Sequence, residues 1–232
     1  MISDNLEKVL QRISEVSRQA GRSEVPRLVG VTKKRTLPEI IELVEAGLVH
    51  LAENRWDEWA SKKKDLDRQG LNHIQWHFIG GLQGRSLRRY YEPLFRIDSL
   101  DSLDHAKMLS ALLEKAKGVQ QVLVEVNISE GAGRSGVLPD VLDSFLDSLT
   151  TLSGINISGL MVMGPLPDPE GGREETRRVF SRAREVWDRS RNHWPFLQDL
   201  SMGMSEDFEE GILAGCTEVR IGRLLFEGGR NE

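Results

Sequence analysis

The stretch Leu28-Val29-Gly30-Val31-Thr32-Lys33 is a short apolar run closed by a cation, and it reads as a β-strand. The residues that follow carry Ile40, Ile41, Leu43 and Val44 at helical spacing, with Thr36 and Pro38 as a helix start and Gly47 as a stop. A strand followed by a single helix is the repeating unit of a parallel sheet. The unit recurs along the chain.

Further strands are expected at 48–54, 74–80, 94–100, 122–127, 157–164, 199–204 and 218–222. The intervening helices fall at about 55–69, a short basic segment, 101–117, 138–152, 171–192 and 206–214, the last capped by Ser205 and stopped by Gly215. Ahead of the first strand, Leu6, Val9, Leu10, Ile13 and Val16 share one face of an additional helix over residues 4–20. Pro165-Leu166-Pro167-Asp168-Pro169 reads as a stiff loop. Strands separated by single helices must be parallel with right-handed crossovers. Eight such units can close on themselves, whereas an open doubly wound sheet usually has fewer. The expected architecture is therefore α/β: a single (β/α)8 TIM barrel with an extra N-terminal helix, one domain over residues 1–232.

The bulk numbers narrow the function. Thirty-one basic against 36 acidic side chains leave a net charge of -5, which gives no broad attraction to nucleic acid or to anionic lipid. A small acidic ligand would need a local basic site. Cys216 is the only cysteine, so no internal disulfide is available and a reducing compartment is expected. The polar, acidic start from Met1 to Lys8 does not resemble an export signal, and no apolar run of 18 residues exists, so the expected location is the cytoplasm with no membrane span. His50, His73, His77, His105 and His193 show no metal-binding spacing. Lys62-Lys63-Lys64, Arg85-Ser86-Leu87-Arg88-Arg89 and the Arg173–Arg191 stretch read as solvated helix faces.

In such a barrel chemistry gathers at the carboxyl ends of the strands, where Lys33 is either an imine-forming amine or a solvated loop lysine. The loops after strands seven and eight commonly bind phosphate. Ser201-Met202-Gly203-Met204-Ser205 and Gly222-Arg223 have the small residues, hydroxyls and charge for it, although Ser201 and Ser205 could equally be caps and Gly203 a turn residue. Arg220 lies two residues before Gly222 and so on the same inward face; its partner is a ligand's heteroaromatic nitrogen or an acid such as Glu218. Asn54 and Asn127 close strands two and five and are ligand contacts or turn formers, and His77 reads as a hydrogen-bonded core residue.

The motifs Val29-Gly30-Val31-Thr32-Lys33, Ala52-Glu53-Asn54-Arg55, Trp76-His77-Phe78-Ile79-Gly80-Gly81-Leu82-Gln83, Val126-Asn127-Ile128-Ser129, Ser158-Gly159-Leu160-Met161, Leu200-Ser201-Met202-Gly203-Met204-Ser205 and Val219-Arg220-Ile221-Gly222 occur in this order. Together they resemble the pyridoxal phosphate homeostasis protein family, from the first helix to about Phe226. The resemblance implies a barrel like the N-terminal domain of alanine racemase, holding pyridoxal 5′-phosphate as a Schiff base on Lys33. It also implies Ser201, Gly203, Met204 and Gly222 around the phosphate and Arg220 at the pyridine nitrogen. Three departures stand out. Arg223 occupies a place where the family usually has threonine, so a hydroxyl contact is missing and a charge is its candidate replacement. Arg85-Ser86 stand where the family commonly shows Asn-Lys, and Arg134-Ser135-Gly136 where it has Lys-x-Gly, so no relay role is carried over.

The implied function is a monomeric carrier that buffers pyridoxal 5′-phosphate or delivers it to dependent apoenzymes, with no robust turnover. A weak amino-acid racemase is the main alternative. Two-base racemisation needs a second base, and the only tyrosines, Tyr90 and Tyr91, sit in the basic segment after strand three, where neither is an obvious substitute. A lysine-imine aldolase and a barrel kept only as an interaction partner are further alternatives.

Overall fold

The computed structural model describes residues 1–87, 94–129, 133–165 and 172–227. Eight parallel strands run β1 (Arg27–Val31), β2 (His50–Glu53), β3 (Gln75–Phe78), β4 (Arg96–Leu100), β5 (Gln120–Val126), β6 (Ile155–Val162), β7 (Asp199–Ser201) and β8 (Glu218–Ile221). Each pairs with its sequence neighbours, and β8 pairs back onto β1 with Arg27 opposite Glu218 and Val29 opposite Arg220. That last pairing closes the expected (β/α)8 barrel. The helices are α1 (Ile2–Gln19), α2 (Leu37–Glu45), α3 (Trp56–Arg68), α4 (Gly84–Leu87), α5 (Leu103–Ala116), α6 (Leu142–Thr150), α7 (Gly172–His193), α8 (Phe208–Leu213) and α9 (Arg223–Phe226). A 3₁₀ turn at Pro139–Val141 leads into α6, and the short α9 was not anticipated from the sequence. Among the described residues no helix is long and apolar enough to cross a membrane.

Several ends differ from the sequence reading. Strands one, two and seven stop at Val31, Glu53 and Ser201, short of Lys33, Asn54 and Met204. Tilted strands diverge at the barrel mouth, so the backbone leaves the ladder before the apolar pattern ends. The helix after strand seven starts at Phe208 with Asp207 as its N-cap, because the Asp207 carboxylate accepts from the Met204 N–H at 2.6 Å and closes the preceding turn. Ser205 is therefore not the cap. In α1 Leu10 sits at the rim of the apolar stripe and is 45% exposed, while Leu6, Val9, Ile13 and Val16 are buried. Arg12 forks onto Glu209 at 2.8 and 2.7 Å, and with the contacts to α9 this fixes α1 against the end of the chain. Arg88, Arg89, Tyr90, Tyr91 and the Leu166–Pro169 loop lie outside the described residues.

The outward faces of the strands pack with the helices into one large apolar layer, which includes Cys216, whose thiol burial pushes up to about 12. Inside the barrel the apolar portion is smaller: a cluster of Val29, Val31 and Ala52 with Ile79 against it, and apart from that Leu123 and Met161. Much of the interior is polar, with His77, Arg96, Asp98, Ser201, Glu218 and Arg220 all buried. Gly159 of β6 lies opposite Asp199 of β7, and a Cβ there would stand 1.9 Å from the Asp199 carbonyl oxygen. Gly159→Ala is expected to separate β6 from β7 and lower stability by about 3 kcal/mol, read by denaturant unfolding; a loss below about 0.5 kcal/mol would contradict this close approach.

Candidate functional site

All eight residues singled out as ligand contacts stand at the carboxyl ends of four adjacent strands, β7, β8, β1 and β2. They form one arc of the mouth. Lys33 is exposed, in a turn closed by the Arg35 N–H donating to the Thr32 carbonyl at 3.0 Å, with Lys34 at φ 61°. Among the described residues its amine forms no ion pair. Asn54 is likewise exposed, directly after β2.

Both segments hang on Glu53, which is fully buried. Its carboxylate accepts from the Thr32 hydroxyl at 2.8 Å, from the Asn54 N–H at 3.3 Å and from the Lys62 ammonium. Lys62 also donates to the Thr32 carbonyl at 2.9 Å. The sequence reading placed Lys62 on a solvated face. Its side chain is only 13% exposed, because α3 turns this one lysine of the triplet towards the buried acid. A carboxylate buried without such a partner would be costly, so the pair is a fixed support for the turn that presents Lys33.

On the other side of the arc, Gly203 adopts φ +94°, and a Cβ there would lie 2.9 Å from the Phe208 backbone. Glycine is required for the turn. The Gly203 carbonyl accepts from the Arg220 N–H at 3.0 Å, and the Gly222 N–H donates to the Ser205 hydroxyl at 3.4 Å, so the two loops are laced together. The Met204 N–H is committed to Asp207, whose carboxyl burial pushes up. Arg223 is exposed and pairs with Glu206 across the two loops at 2.7 Å.

Below the mouth, Arg220 is buried and donates to the Ser201 hydroxyl at 2.8 Å, the Val162 carbonyl at 3.1 Å and the Met163 sulfur at 3.4 Å. Among the described residues it forms no salt bridge, so the anticipated pair with Glu218 does not form directly. Ser201 donates its one proton to Glu218 at 2.8 Å. Glu218 in turn takes Arg96 at 2.6 Å and Arg27 at 3.2 Å, and although burial pushes its carboxyl up, Arg96 outweighs that and holds it below the ordinary range. Arg96 also binds Asp98 at 2.6 Å and Asp199 at 2.8 Å. His77 is the hydrogen-bonded core residue expected, between Asp98 at 3.1 Å and His50 at 3.0 Å. Donor atoms of His77, Asp98 and Glu218 lie within 4.8 Å of one another, a grouping that sequence spacing did not reveal, and the Arg96 guanidinium is the cation they share.

Glu125 and Asn127 of the β5 end line a cavity of about 280 Å³ with Gly133, Arg134, Ser135 and Met163. Burial pushes the Glu125 carboxyl up although Ser135 donates to it at 2.5 Å. Arg134 spans from Ser129 at 3.1 Å to the Gly164 carbonyl at 2.6 Å.

The donor set fits a phosphorylated heteroaromatic aldehyde. It offers an amine without an ion pair, a buried guanidinium with only neutral acceptors, and a positive-φ glycine turn beside a second small-residue loop. The sequence profile of the family "Alanine racemase, N-terminal domain" matches residues 5–229. A pyridoxal phosphate homeostasis protein of Aquifex aeolicus is 37% identical over 230 residues, covering 96% of each chain. This chain belongs to the pyridoxal phosphate homeostasis protein family. Among solved structures, PipY of Synechococcus elongatus with pyridoxal phosphate bound superposes with a TM-score of 0.83 at 28% identity, over 97% of this chain and 100% of that one. An alanine racemase of Clostridium difficile has a TM-score of 0.71 at 15% identity, over 93% of this chain and 55% of that one, and shares the fold alone.

The polar interior gives the family barrel a pH signature here. Burial pushes His50 from 6.5 down to about 4, helped by His77 and Arg27, while Glu218 opposes the shift. Between those values the unfolded chain binds a proton that the folded chain refuses, so stability present above pH 6.5 is lost as pH falls towards 4. The melting temperature of His50→Asn is expected to fall less steeply over that window than that of the parent protein. Parallel slopes would show that His50 does not carry the effect.

Proposed function

We propose that this chain binds pyridoxal 5′-phosphate as a Schiff base on Lys33 and takes part in its homeostasis inside the cell, buffering or delivering it without robust turnover. The observation that carries the reading is Arg220: a buried guanidinium with no carboxylate of its own, in the same arc as an amine without an ion pair. A guanidinium does not surrender its proton, so it donates to a pyridine nitrogen and leaves that nitrogen largely unprotonated. An unprotonated ring is a weak electron sink, which suits holding the cofactor better than transforming an amino acid on it.

Condensation of the Lys33 amine with the aldehyde releases one water and is reversible, so it serves for retention and release alike. The small residues Gly203 and Gly222 let the phosphate approach the two loops closely, although the Met204 and Gly222 N–H groups are themselves taken by Asp207 and Ser205. Arg223 adds a charge partly offset by Glu206, and Asn54 borders the ligand beside Lys33. The supporting relatives are named for pyridoxal phosphate homeostasis, and PipY has been seen with the cofactor bound. Pyridoxal-phosphate-dependent apoenzymes are the recipients this reading calls for, and a cytoplasmic monomer is the form proposed. A racemase-like activity, with Lys33 as one proton-transfer base, is the rival reading.

The purified protein with cofactor is expected to be yellow and to turn over L-alanine far below the roughly 1–10³ per second of ordinary enzymes. Lys33→Ala should lose the violet absorbance while its melting curve barely moves, because the side chain is exposed and a surface substitution costs within about 0.5 kcal/mol. Retained absorbance in Lys33→Ala, or enzyme-like racemisation by the parent, would count against the reading.

A further inference from the structure

We propose that Arg96, Glu218 and Ser201 form a positioning relay for Arg220, so that Ser201 serves the ring end of a bound cofactor and not its phosphate. The inference rests on the pyridoxal phosphate reading above.

Arg220 and Glu218 are two residues apart on β8, on the same inward face, and a direct ion pair would be the default for two such buried charges. It does not form because Glu218 is already taken. Arg96 donates to both of its oxygens at 2.6 Å, and Arg27 reaches one of them at 3.2 Å. Glu218 therefore contacts Arg220 only through the Ser201 hydroxyl, 2.8 Å from each. Arg220 is held in place by neutral acceptors and keeps its charge for a ligand.

The hydroxyl of Ser201 carries a single proton, and that proton goes to Glu218 while a lone pair receives Arg220. Nothing remains to donate to a phosphate, which needs donors. Ser201 is also fully buried beneath the glycine loop. Arg96 is thus the residue that frees Arg220: without it Glu218 would capture the guanidinium directly.

The test compares the affinities of pyridoxal 5′-phosphate and of pyridoxal, which lacks the phosphate, by spectroscopic titration, with the melting temperature of the cofactor-free protein as a separate report on packing. In Ser201→Ala the relay predicts that both ligands weaken by the same factor, about tenfold for one lost hydrogen bond to a charged group, with a displaced absorbance maximum. Loss confined to pyridoxal 5′-phosphate would mean a phosphate contact and would overturn the relay, as would unchanged affinity for both. Arg96→Met is expected to weaken both ligands likewise, and Arg96→Met with Glu218→Gln to return them to within about threefold of the parent, since the competing carboxylate is gone. A double variant as weak as the single one counts against the proposal. Should Arg96→Met not fold, Ser201→Ala decides alone, because it removes one oxygen from a filled site. A parent protein that binds neither ligand overturns the pyridoxal phosphate reading and the relay with it, whereas parent binding with a phosphate-selective loss overturns only the relay.

Discussion

The guanidinium of Arg96 is fully buried with Asp98, Asp199 and Glu218 around it, and the polar interior of this barrel is organised by that one cation. Inner faces of parallel strands are commonly filled by branched apolar side chains, and here that filling is reduced to a small cluster of Val29, Val31, Ala52 and Ile79 with Leu123 and Met161 apart from it. Polar and charged groups fill much of the remainder. Arg96 pairs with Asp98, Asp199 and Glu218, the partly exposed Arg27 reaches Asp199 and Glu218 as well, and Arg220 lies nearby with no ion pair among the described residues. A cluster of this kind contributes little net stability over an apolar core, yet removing one member costs about 3–5 kcal/mol because the others are left uncompensated. It therefore fixes geometry more than it adds stability, and the geometry it fixes is that of Arg220.

A second buried acid performs the corresponding task at the mouth. Glu53 ties the end of β2 to the turn after β1 through Thr32, and Lys62 reaches across from α3 to neutralise it. The exposed Lys33 amine is thus carried on a backbone that is itself held from inside. Between these two supports the arc from β7 to β2 presents an exposed amine, a positive-φ turn at Gly203 and a buried guanidinium with neutral acceptors. The proposed ligand, with an aldehyde, a phosphate and a basic ring nitrogen, would sit on this arc.

Much of this was legible in the sequence because strands buried on both faces read as continuous apolar runs, and the helices between them carry their own stops. The alternation gave eight units and hence the closed barrel. The seven motifs gave the arc. What could not be read was pairing at long range: Arg96 and Glu218 are 122 residues apart, and neither stands out in its own strand. Lys62 looked solvated because its neighbours Lys63 and Lys64 share its charge, and only the fold shows which of the three meets a buried acid. Arg223, read as a spare cation for phosphate, turned out to share its charge with Glu206, a partner that lies across two loops. The strand ends were overrun for a simpler reason, since apolar pattern continues past the last ladder hydrogen bond wherever the mouth is still buried, as at Thr32.

The account comes down to one amine. Lys33 and Lys62 both lie next to Thr32, one in the open turn and one braced against Glu53, and the proposal assigns the condensation with an aldehyde to the first. The most direct measurement is to saturate the protein with pyridoxal 5′-phosphate, reduce it with borohydride, digest it and locate the modified lysine by mass spectrometry. The account predicts a single dominant adduct on the peptide containing Lys33; an adduct on Lys62 or another lysine instead, or none at all, would contradict it.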